Sequence, residues 1–299
     1  MANKPHTYRV AKAQAIVNIH PDTSILIREG KSPKGNIMEA AKVSATLGAK
    51  KTWDLIPHCH PIPLDHVFVQ VSVKSKCIEV DVEVKSIWKT GVEMEALTGA
   101  CIGALTVYDM LKPVDNALSI SSIKLLHKSG GLKEFSENGK RRLRAAVLVI
   151  SDSVTRGKRQ DKSGKYVVQR LQQRGIDVIE YVVVPDDSNL IEDHLRKCCD
   201  DMHVDLVLTT GGTGIGPHDV TPESTKKVIE KELRGISEAN RAYGQQRTPL
   251  SMFSRGLSGL RGSTLIVNMP GSLKGVSESL DFLFPGIEHA FKMMEGKGH

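Results

Sequence analysis

The chain has 299 residues, 40% of them hydrophobic and 4% aromatic, and its formal net charge is +7. This length suits two ordinary domains, no run of 18 apolar residues predicts a membrane span, and the N-terminus lacks the apolar stretch of a signal peptide. We therefore expect a soluble, cytoplasmic protein. Because the basic residues are scattered and stacking aromatics are scarce, the positive charge favours small phosphorylated ligands over nucleic acid.

The cysteine pattern gives no sign of a disulfide framework. Five cysteines, an odd number without regular spacing, predict reduced thiols. His58, Cys59 and His60 are adjacent, but no second ligand pair follows at zinc spacing. This segment therefore favours a structural or catalytic role over a metal site, and no tightly bound cofactor is expected.

The first half of the chain begins with two predicted strands, over residues 15–19 and 23–28. Apolar residues then recur at helical spacing after Asn36, which is a plausible N-cap and would place Lys34 at the mouth of the helix. Residues 53–64 contain three prolines and are predicted to be irregular.

Two alternating patterns follow, over residues 67–73 and 78–84, and predict a hairpin with one polar face. Thr90 or Gly91 is expected to cap a long helix that ends at Leu111. A last strand is predicted shortly after this helix. The order of these elements predicts an α+β domain, an antiparallel sheet with helices on one face, of ferredoxin-like type.

The domain boundaries follow from the change in pattern. The last strand of the first half covers residues 120–126, so we assign the first domain to residues 1–135. Residues 136–144 are polar and basic without periodicity, which is typical of a linker. The second domain then covers residues 145–299.

The second half alternates between strands and helices. Strands are predicted over residues 145–150, 178–184, 206–210 and 262–268, and helices over residues 166–174, 189–201, 222–233 and 276–294, the last interrupted at Pro285. Such alternation predicts an α/β domain, a mostly parallel sheet with helices on both faces. Ligands of such sheets bind outside the carboxyl ends of the strands.

The most distinctive stretch covers residues 206–223, an apolar run that leads into a glycine-rich turn. Its four glycines are Gly211, Gly212, Gly214 and Gly216. An ordinary turn is the simplest interpretation, but a strand, a glycine-rich turn and a helix in this order direct backbone N–H groups at an anion. The spacing is that of neither a P-loop nor a dinucleotide fingerprint. Thr221 is expected to cap the helix, with Pro222 as its first residue.

Notable residues follow four of the predicted strands. They are Ser151 and Asp152, then Asp186, then Thr213 and Asp219 around the glycines, and finally Pro270, Gly271 and Ser272. Two acidic residues beside an anion cradle suit a nucleotide with Mg²⁺, which takes one or two carboxylates plus phosphate oxygens. The residues themselves therefore predict phosphoryl or nucleotidyl transfer.

Residues 145–296 resemble the molybdopterin adenylyltransferase family, which includes MogA, MoaB and the G domain of gephyrin. The motifs that carry the resemblance are SDSVTRG, VPDD, TTGGTGIGPHDVTPE and RGSTLIVNMPGS. This family transfers AMP from Mg-ATP to the phosphate of molybdopterin and releases pyrophosphate. The resemblance implies that Asp186 and Asp219 are catalytic and hold Mg²⁺ through the ATP phosphates. One departure is His218, where many members have arginine.

The same resemblance implies that three loops bind the two substrates. The implied contact residues are Ser151, Asp152, Gly211, Gly212, Thr213, Gly214, Pro270, Gly271 and Ser272.

Residues 6–135 resemble cyclic pyranopterin monophosphate synthase, the MoaC family. The motifs are KGN, KKTWDLIPHCHP, KTGVEMEALTGA, YDMLK and LLHKSGG. This family converts a cyclised dihydro-GTP into cyclic pyranopterin monophosphate and pyrophosphate. The resemblance implies that Lys34, Asp109 and Lys112 form the acid–base group, whereas spacing alone would make the last two a surface ion pair. Clustered lysines can have lowered pKa values, which would suit proton transfer.

The resemblance also implies a substrate pocket lined by His60, Glu93, Met94, Glu95 and Lys128. Two departures from the family pattern stand out. Asn36 follows Gly35 where Gly-Asp is common, and Leu132 occupies a position where lysine is common.

Together the two resemblances predict a fusion of two enzymes of molybdenum cofactor synthesis, one for an early step and one for a late step. The substrates would be cyclised dihydro-GTP, molybdopterin and ATP. The alternative is that only the N-terminal half is catalytic and that the C-terminal half is a molybdopterin-binding or scaffolding module.

The resemblances also imply an assembly. The first family forms a hexamer, a trimer of dimers with pockets at the dimer interface, and the second often forms trimers. Both arrangements contain a threefold axis, so one closed homo-oligomer satisfies both. A linker of about nine residues reaches at most about 30 Å. We therefore expect a hexamer with an adenylyltransferase-like trimer at each end.

Overall fold

The computed structural model describes residues 5–131, 142–284 and 286–296. The chain divides into two compact units, Met1–Glu134 and Phe135–His299. Each unit has its own sheet and its own hydrophobic core.

The predicted linker lies outside the described residues as far as residue 141. Beyond that point Leu143 is buried and Arg144 begins the first strand of the second unit, so the regular structure starts earlier than the composition predicts.

The first unit alternates strands and helices in the order βαββαβ, with two extra short helical pieces. Its elements are β1 (Thr7–Asn18), α1 (Pro21–Arg28), α2 (Ile37–Lys50), α3 (Thr52–Leu55), β2 (His66–Val73), β3 (Cys77–Trp88), α4 (Glu93–Leu111) and β4 (Ser119–Ser129). The strands form an antiparallel sheet in the order β2-β3-β1-β4. The predicted α+β, ferredoxin-like architecture is confirmed.

Small residues allow α2 and α4 to pack closely on this sheet. Ala13 of β1 lies opposite Val82 of β3, and both side chains are buried beneath the helices. A Cβ atom on Gly103 of α4 would lie 2.8 Å from Val80 Cγ1. Glu83 and its neighbours on β3 alternate to the other face, so the predicted hairpin with one polar face is confirmed.

The prediction of a strand over residues 23–28 is wrong, because this segment lies in α1. The side chain of His20 accepts the Asp22 backbone N–H as an N-cap, and Pro21 occupies the first turn. Proline at a helix start and a negative charge in the first turn both favour a helix. This start signal outweighs the β-branched composition.

Other predicted boundaries in this unit also differ from the structure, and the strand predicted over residues 15–19 is longer and begins at Thr7. Helix α4 begins at Glu93 with Val92 in the cap position and no side-chain cap, so neither Thr90 nor Gly91 caps it. The proline-containing segment is irregular as predicted except for α3, which occupies its start. Asn36 caps α2 as predicted, since its side chain accepts the Glu39 N–H at 3.2 Å.

The second unit is built around six strands. Its elements are β5 (Arg144–Ile150), α5 (Asp152–Thr155), α6 (Ser163–Gln172), β6 (Asp177–Val184), α7 (Ser188–Arg196), β7 (Leu206–Thr210), α8 (Thr221–Val228), β8 (Lys231–Glu232), α9 (Arg234–Gln245), β9 (Ser258–Arg261), β10 (Thr264–Met269), α10 (Leu273–Leu283) and α11 (Gly286–Met294). The strand order is β6-β5-β7-β10-β9-β8, and the first four strands are parallel. Hydrophobic clusters cover both faces, so the predicted α/β class is confirmed.

Several details of the second unit were not predicted. Residues 234–261 contain α9, a 3₁₀ turn at Pro249–Phe253 and the antiparallel strand β9. Helix α8 ends at Val228, earlier than predicted, and Thr221 lies inside its first turn rather than in the cap position. The last helix is interrupted as predicted, between α10 and α11, although Pro285 itself lies outside the described residues.

All five cysteines are free thiols, in agreement with the sequence. Within the described ranges, no helix combines the length and the apolar character needed to cross a bilayer.

Candidate functional sites

Lys34, Asp109 and Lys112 meet at the carboxyl end of α4. Lys34 Nζ lies 2.9 Å from Asp109 Oδ2 and also donates to the Asp109 carbonyl at 2.8 Å. Lys112 Nζ lies 2.7 Å from Asp109 Oδ1. Lys34 lies in the turn before α2, which the Gly35 N–H closes by donating to the Ser32 carbonyl at 3.2 Å. The structure therefore brings together the three residues predicted to form the acid–base group.

The ion pairs of this cluster shift the pKa values of its side chains. Hydrogen bonds from Lys112 and Lys34 lower the pKa of Asp109 to about 2, and the bond to Asp109 raises the pKa of Lys112. The expectation of lowered lysine pKa values is therefore wrong for Lys112. Because the pKa of Asp109 is depressed, its pairing persists at neutral pH and is lost only as the pH falls through about 2. Lys112 therefore carries a proton and a positive charge at neutral pH.

A second cluster lies at the amino end of α4. Lys128 Nζ of β4 is 3.5 Å from Glu93 Oε1. The side chain of Glu95 is buried, and its Oε2 has no hydrogen-bond partner among the described residues. Burial raises the pKa of Glu95, and the charge of Glu93 raises it further. This environment disfavours the ionised form of Glu95.

The loop that carries His60 lies beside this second cluster. Burial raises the pKa of the Cys59 thiol, and the carboxylate of Glu95 raises it further, which places Cys59 close to Glu95. His60 follows Cys59 directly and is exposed, and Met94 beside Glu93 is also exposed.

The two clusters do not meet within one chain. At a rise of about 1.5 Å per residue, Glu93 and Asp109 lie about 24 Å apart along the axis of α4. The residues predicted to share one substrate pocket are therefore divided between the two ends of one helix.

In the second unit, a cavity of about 850 Å³ opens at the carboxyl ends of the parallel strands. The predicted residues Ser151, Gly211, Gly271 and Ser272 line it. A second cavity of about 310 Å³ shares Ser272 with the first. Two adjoining cavities suit a reaction with two substrates.

Both predicted catalytic aspartates lie against the glycine-rich loop. A Cβ atom on Gly212 would lie 3.2 Å from Asp186 Oδ1, and one on Gly214 would lie 2.8 Å from Asp219 Oδ2. Gly212 also has a φ of +60°, and Gly211 has a φ of +104° with its ideal Cβ position 2.1 Å from the Ile150 carbonyl oxygen. A side chain at Gly211 or Gly212 would strain the backbone and would also clash with neighbouring atoms of the site.

Asp152 and Asp186 hold each other through reciprocal hydrogen bonds. The Asp152 N–H donates to Asp186 Oδ2 at 2.9 Å, and the Asp186 N–H donates to Asp152 Oδ1 at 3.2 Å. Burial raises the pKa of Asp186. The charges of Asp152 and Asp219 raise it further, against the opposing hydrogen bond from Asp152. The site thus holds carboxylates that repel each other, a situation that a bound cation relieves.

Most carbonyl groups of the glycine-rich loop accept hydrogen bonds from within the protein. The carbonyls of Gly211 and Gly212 accept from Thr221, and the Gly216 carbonyl accepts from the Asp219 N–H. The carbonyls of Thr213, Gly214 and Asp219 all accept from Arg255.

The backbone amide groups of this loop, in contrast, are largely without hydrogen-bond partners among the described residues. Four consecutive N–H groups have no hydrogen-bond acceptor in the part of the chain that the structure describes, and they belong to Gly212, Thr213, Gly214 and Ile215. A run of unpaired amides, beside carbonyls from Gly211 to Gly214 that are all engaged, is the arrangement that binds an anion.

Several residues around the cavity of about 850 Å³ carry no functional prediction from the sequence. Arg159 and Lys162 line it and add positive charge. Asp161 orders their loop, because it accepts the Gly164 N–H at 2.9 Å and the Tyr181 hydroxyl at 2.6 Å. The sequence signal for them is the pair of basic residues just before a helix start, whereas the polarity of this segment alone predicts only a loop.

The carboxylates fit Mg²⁺ that arrives with a nucleotide. Asp186 Oδ1 and Asp219 Oδ1 accept no hydrogen bond from a described residue, so each is available as a ligand. No group of three or more His, Cys, Asp or Glu side chains able to hold a metal occurs in the described ranges. Mg²⁺ does not need such a group, because phosphate oxygens and water complete its coordination.

Replacing Asp186 with asparagine is expected to raise the melting temperature at pH 8 by about 1–3 °C. An acid whose pKa is raised in the folded state destabilises the fold once it ionises, so the gain should shrink as the pH falls toward 5. Asparagine keeps the oxygen that accepts the Asp152 N–H. Differential scanning fluorimetry from pH 5 to 8 measures this, with the exposed Asp193→Asn as control. An unchanged or lower melting temperature at pH 8 would contradict the inference that Asp152 and Asp219 repel the ionised Asp186.

The fold and the sites define a two-domain chain, in which a ferredoxin-like unit with a cluster of two lysines and an aspartate precedes an α/β unit with a glycine-rich loop of unpaired amides. The family model described as "MoaC family" matches residues 1–131, and the one described as "Probable molybdopterin binding domain" matches residues 146–289.

Similar proteins extend this result to the whole chain. A "Molybdenum cofactor biosynthesis bifunctional protein" of Chlorobaculum tepidum is 36% identical over 100% of this chain and 95% of its own length. Its counterpart in Synechococcus elongatus is 31% identical over 100% of this chain and 98% of its own length. The chain therefore belongs to the family of bifunctional molybdenum cofactor biosynthesis proteins. A "Cyclic pyranopterin monophosphate synthase" of Thermomicrobium roseum is 47% identical over 44% of this chain and 80% of its own length.

Proposed function

We propose that this chain catalyses two reactions of molybdenum cofactor synthesis at two separate sites. The first unit would convert cyclised dihydro-GTP into cyclic pyranopterin monophosphate and pyrophosphate. The second would transfer AMP from Mg-ATP to molybdopterin. The cluster of Lys34, Asp109 and Lys112 carries the first proposal, and the four unpaired amides beside two aspartates carry the second.

In the first unit, the charges suit a rearrangement that requires proton transfers. Lys112, with its raised pKa, would donate a proton, and Asp109 would hold both lysine side chains in place. Glu95, buried and with a raised pKa, would supply a second proton donor in the cluster at the amino end of α4. The lysines would also neutralise the triphosphate.

In the second unit, the phosphate oxygen of molybdopterin would attack the α-phosphorus of ATP. A new P–O bond forms, the bond from the α-phosphorus to the oxygen that bridges to the β-phosphate breaks, and pyrophosphate leaves with that oxygen. The loop amides would stabilise the negative charge on the phosphates. Asp186 and Asp219 would hold Mg²⁺, which supplies charge neutralisation when bound with ATP.

The test is whether the purified chain releases pyrophosphate from Mg-ATP when molybdopterin is added, with formation of adenylylated molybdopterin. The second candidate function, a molybdopterin-binding or scaffolding module, is favoured by the description of the matching family model. Binding of molybdopterin without any pyrophosphate release would support that candidate and reject the transferase.

The separation of the two clusters of the first unit leads us to propose that two protomers build each synthase site. Lys112→Ala and Lys128→Ala should each inactivate the synthase. Mixing the two variants should restore roughly a quarter of the wild-type rate, since half of randomly paired dimers are mixed and each has one intact site of two. The measurement is synthase activity after co-expression of the two variants with different affinity tags.

The matched control combines Lys34→Ala with Lys112→Ala. Both residues belong to the same cluster, so no mixed dimer contains an intact site, and no activity should return. Failure of the first mixture to recover, or a monomeric mass by light scattering with activity retained, would contradict the shared site.

A further inference from the structure

One residue, distant in the sequence, holds the outer side of the glycine-rich loop. The Arg255 backbone N–H donates to the Thr213 carbonyl at 2.8 Å, and Arg255 Nε donates to the Gly214 carbonyl at 2.6 Å. Its two terminal nitrogens donate to the Asp219 carbonyl and to the Glu223 carboxylate. Arg255 therefore engages three carbonyls of the loop and ties the loop to the first turn of α8.

The planarity of the peptide group links these bonds to the anion cradle. The C=O and N–H of one trans peptide point in opposite directions, so a donor that binds the carbonyl fixes the direction of the N–H. The Thr213 carbonyl shares its peptide with the Gly214 N–H, and the Gly214 carbonyl shares its peptide with the Ile215 N–H. These two N–H groups belong to the unpaired run. Arg255 thus binds the carbonyl side of the two peptides whose N–H groups are available to a ligand.

We propose that Arg255 is a positioning residue for phosphate binding in the second unit, and that it acts through the loop without touching the ligand. Its backbone N–H, through the Thr213 carbonyl, holds the Gly214 amide, and its guanidinium, through the Gly214 carbonyl, holds the Ile215 amide on the side that faces the anion. The proposal deepens the proposed transferase function and rests on it for the identity of the ligand, a polyphosphate. Without the guanidinium, the peptide between Gly214 and Ile215 loses the hydrogen bond that fixes its direction, and the flexibility of Gly214 allows that peptide to rotate.

The arrangement requires a guanidinium. Nε and the two terminal nitrogens reach Gly214, Asp219 and Glu223 from one planar group. A lysine ammonium is a single point on a flexible chain and cannot reproduce three diverging bonds. Arg255→Lys should therefore behave like Arg255→Gln, although it keeps the charge.

The test uses the full chain with two readouts. The first is hydrogen exchange of the peptide that covers residues 211–221, because the N–H groups of Gly216, Asp219 and Thr221 are bonded within the loop. Exchange should be faster in both Arg255 variants. The second is the affinity for Mg-pyrophosphate by calorimetry, which should fall about tenfold if the loop spends about a tenth of the time in the binding conformation.

The matched control is Arg261→Gln. Arg261 also binds a carboxylate and a backbone carbonyl, those of Asp200 and Val228, at a different part of the same unit. This variant should keep wild-type exchange in the loop and wild-type affinity. Wild-type behaviour of Arg255→Gln in both readouts would overturn the proposal. If the wild-type chain bound no Mg-pyrophosphate, the proposed transferase would fail, and the exchange data would still decide whether Arg255 orders the loop.

Discussion

Lys112→Ala and Lys34→Ala are each expected to reduce formation of cyclic pyranopterin monophosphate by about 10²–10⁴-fold, the usual contribution of general acid–base catalysis. Each substitution removes an ammonium that lies within 2.9 Å of an Asp109 oxygen and leaves that carboxylate with one partner. Adenylyl transfer should stay unchanged, since it is assigned to the other unit. The measurement is the rate of product formation from cyclised dihydro-GTP under saturating substrate.

A matched control is available on α2. Lys42 pairs with Glu39 at 2.7 Å and at the same sequence spacing as Lys112 and Asp109, but lies in neither cluster. Lys42→Ala should keep the wild-type rate, which separates loss of a surface ion pair from loss of a catalytic group. A loss below about tenfold at both Lys34 and Lys112 would reassign these lysines to passive binding of the triphosphate.

Asp186→Asn and Asp219→Asn are expected to reduce adenylyl transfer by about 10²–10³-fold, the effect of removing one preorganised electrostatic group. Each replaces a carboxylate oxygen that no described residue engages, and so removes a ligand for Mg²⁺. Formation of cyclic pyranopterin monophosphate should persist. The assay follows pyrophosphate release at several Mg²⁺ concentrations, because a lost metal ligand should also raise the Mg²⁺ concentration required.

The control for this pair is Asp193→Asn, which removes the same charge from an exposed position on α7. It should leave the rate and the Mg²⁺ dependence unchanged. Full adenylyl transfer in both Asp186→Asn and Asp219→Asn, with wild-type Mg²⁺ dependence, would show that these aspartates are not the metal ligands.

Local patterns predicted most of the architecture. The alternation in β2 and β3 fixed a hairpin with a polar face, and the positions of Asp186 and Ser272 at strand ends placed them on one rim of a parallel sheet. These features depend on residues close together in the chain, where side-chain periodicity reports directly on burial. Over residues 23–28 two local signals conflict, because the apolar, β-branched composition predicts a strand and the start signal at Pro21 predicts a helix. The structure has the helix.

Contacts between distant residues could not be predicted in the same way. Lys34 and Asp109 are 75 residues apart, and Gly214 and Arg255 are 41 residues apart. Both contacts depend on how helices and loops pack, which no local pattern encodes. Resemblance supplied the first pair but gave no indication of Arg255. The raised pKa of Lys112 likewise follows from the short hydrogen bond to Asp109, which only the structure reveals.

The measurement that tests the central claim most directly assays both reactions on one preparation of the wild-type chain, of Lys112→Ala and of Asp186→Asn, with circular dichroism to verify folding. We predict that the wild-type chain performs both reactions, that Lys112→Ala loses only the synthase and that Asp186→Asn loses only adenylyl transfer. A folded variant that loses both reactions, or a wild-type chain that performs neither, would contradict two independent catalytic sites.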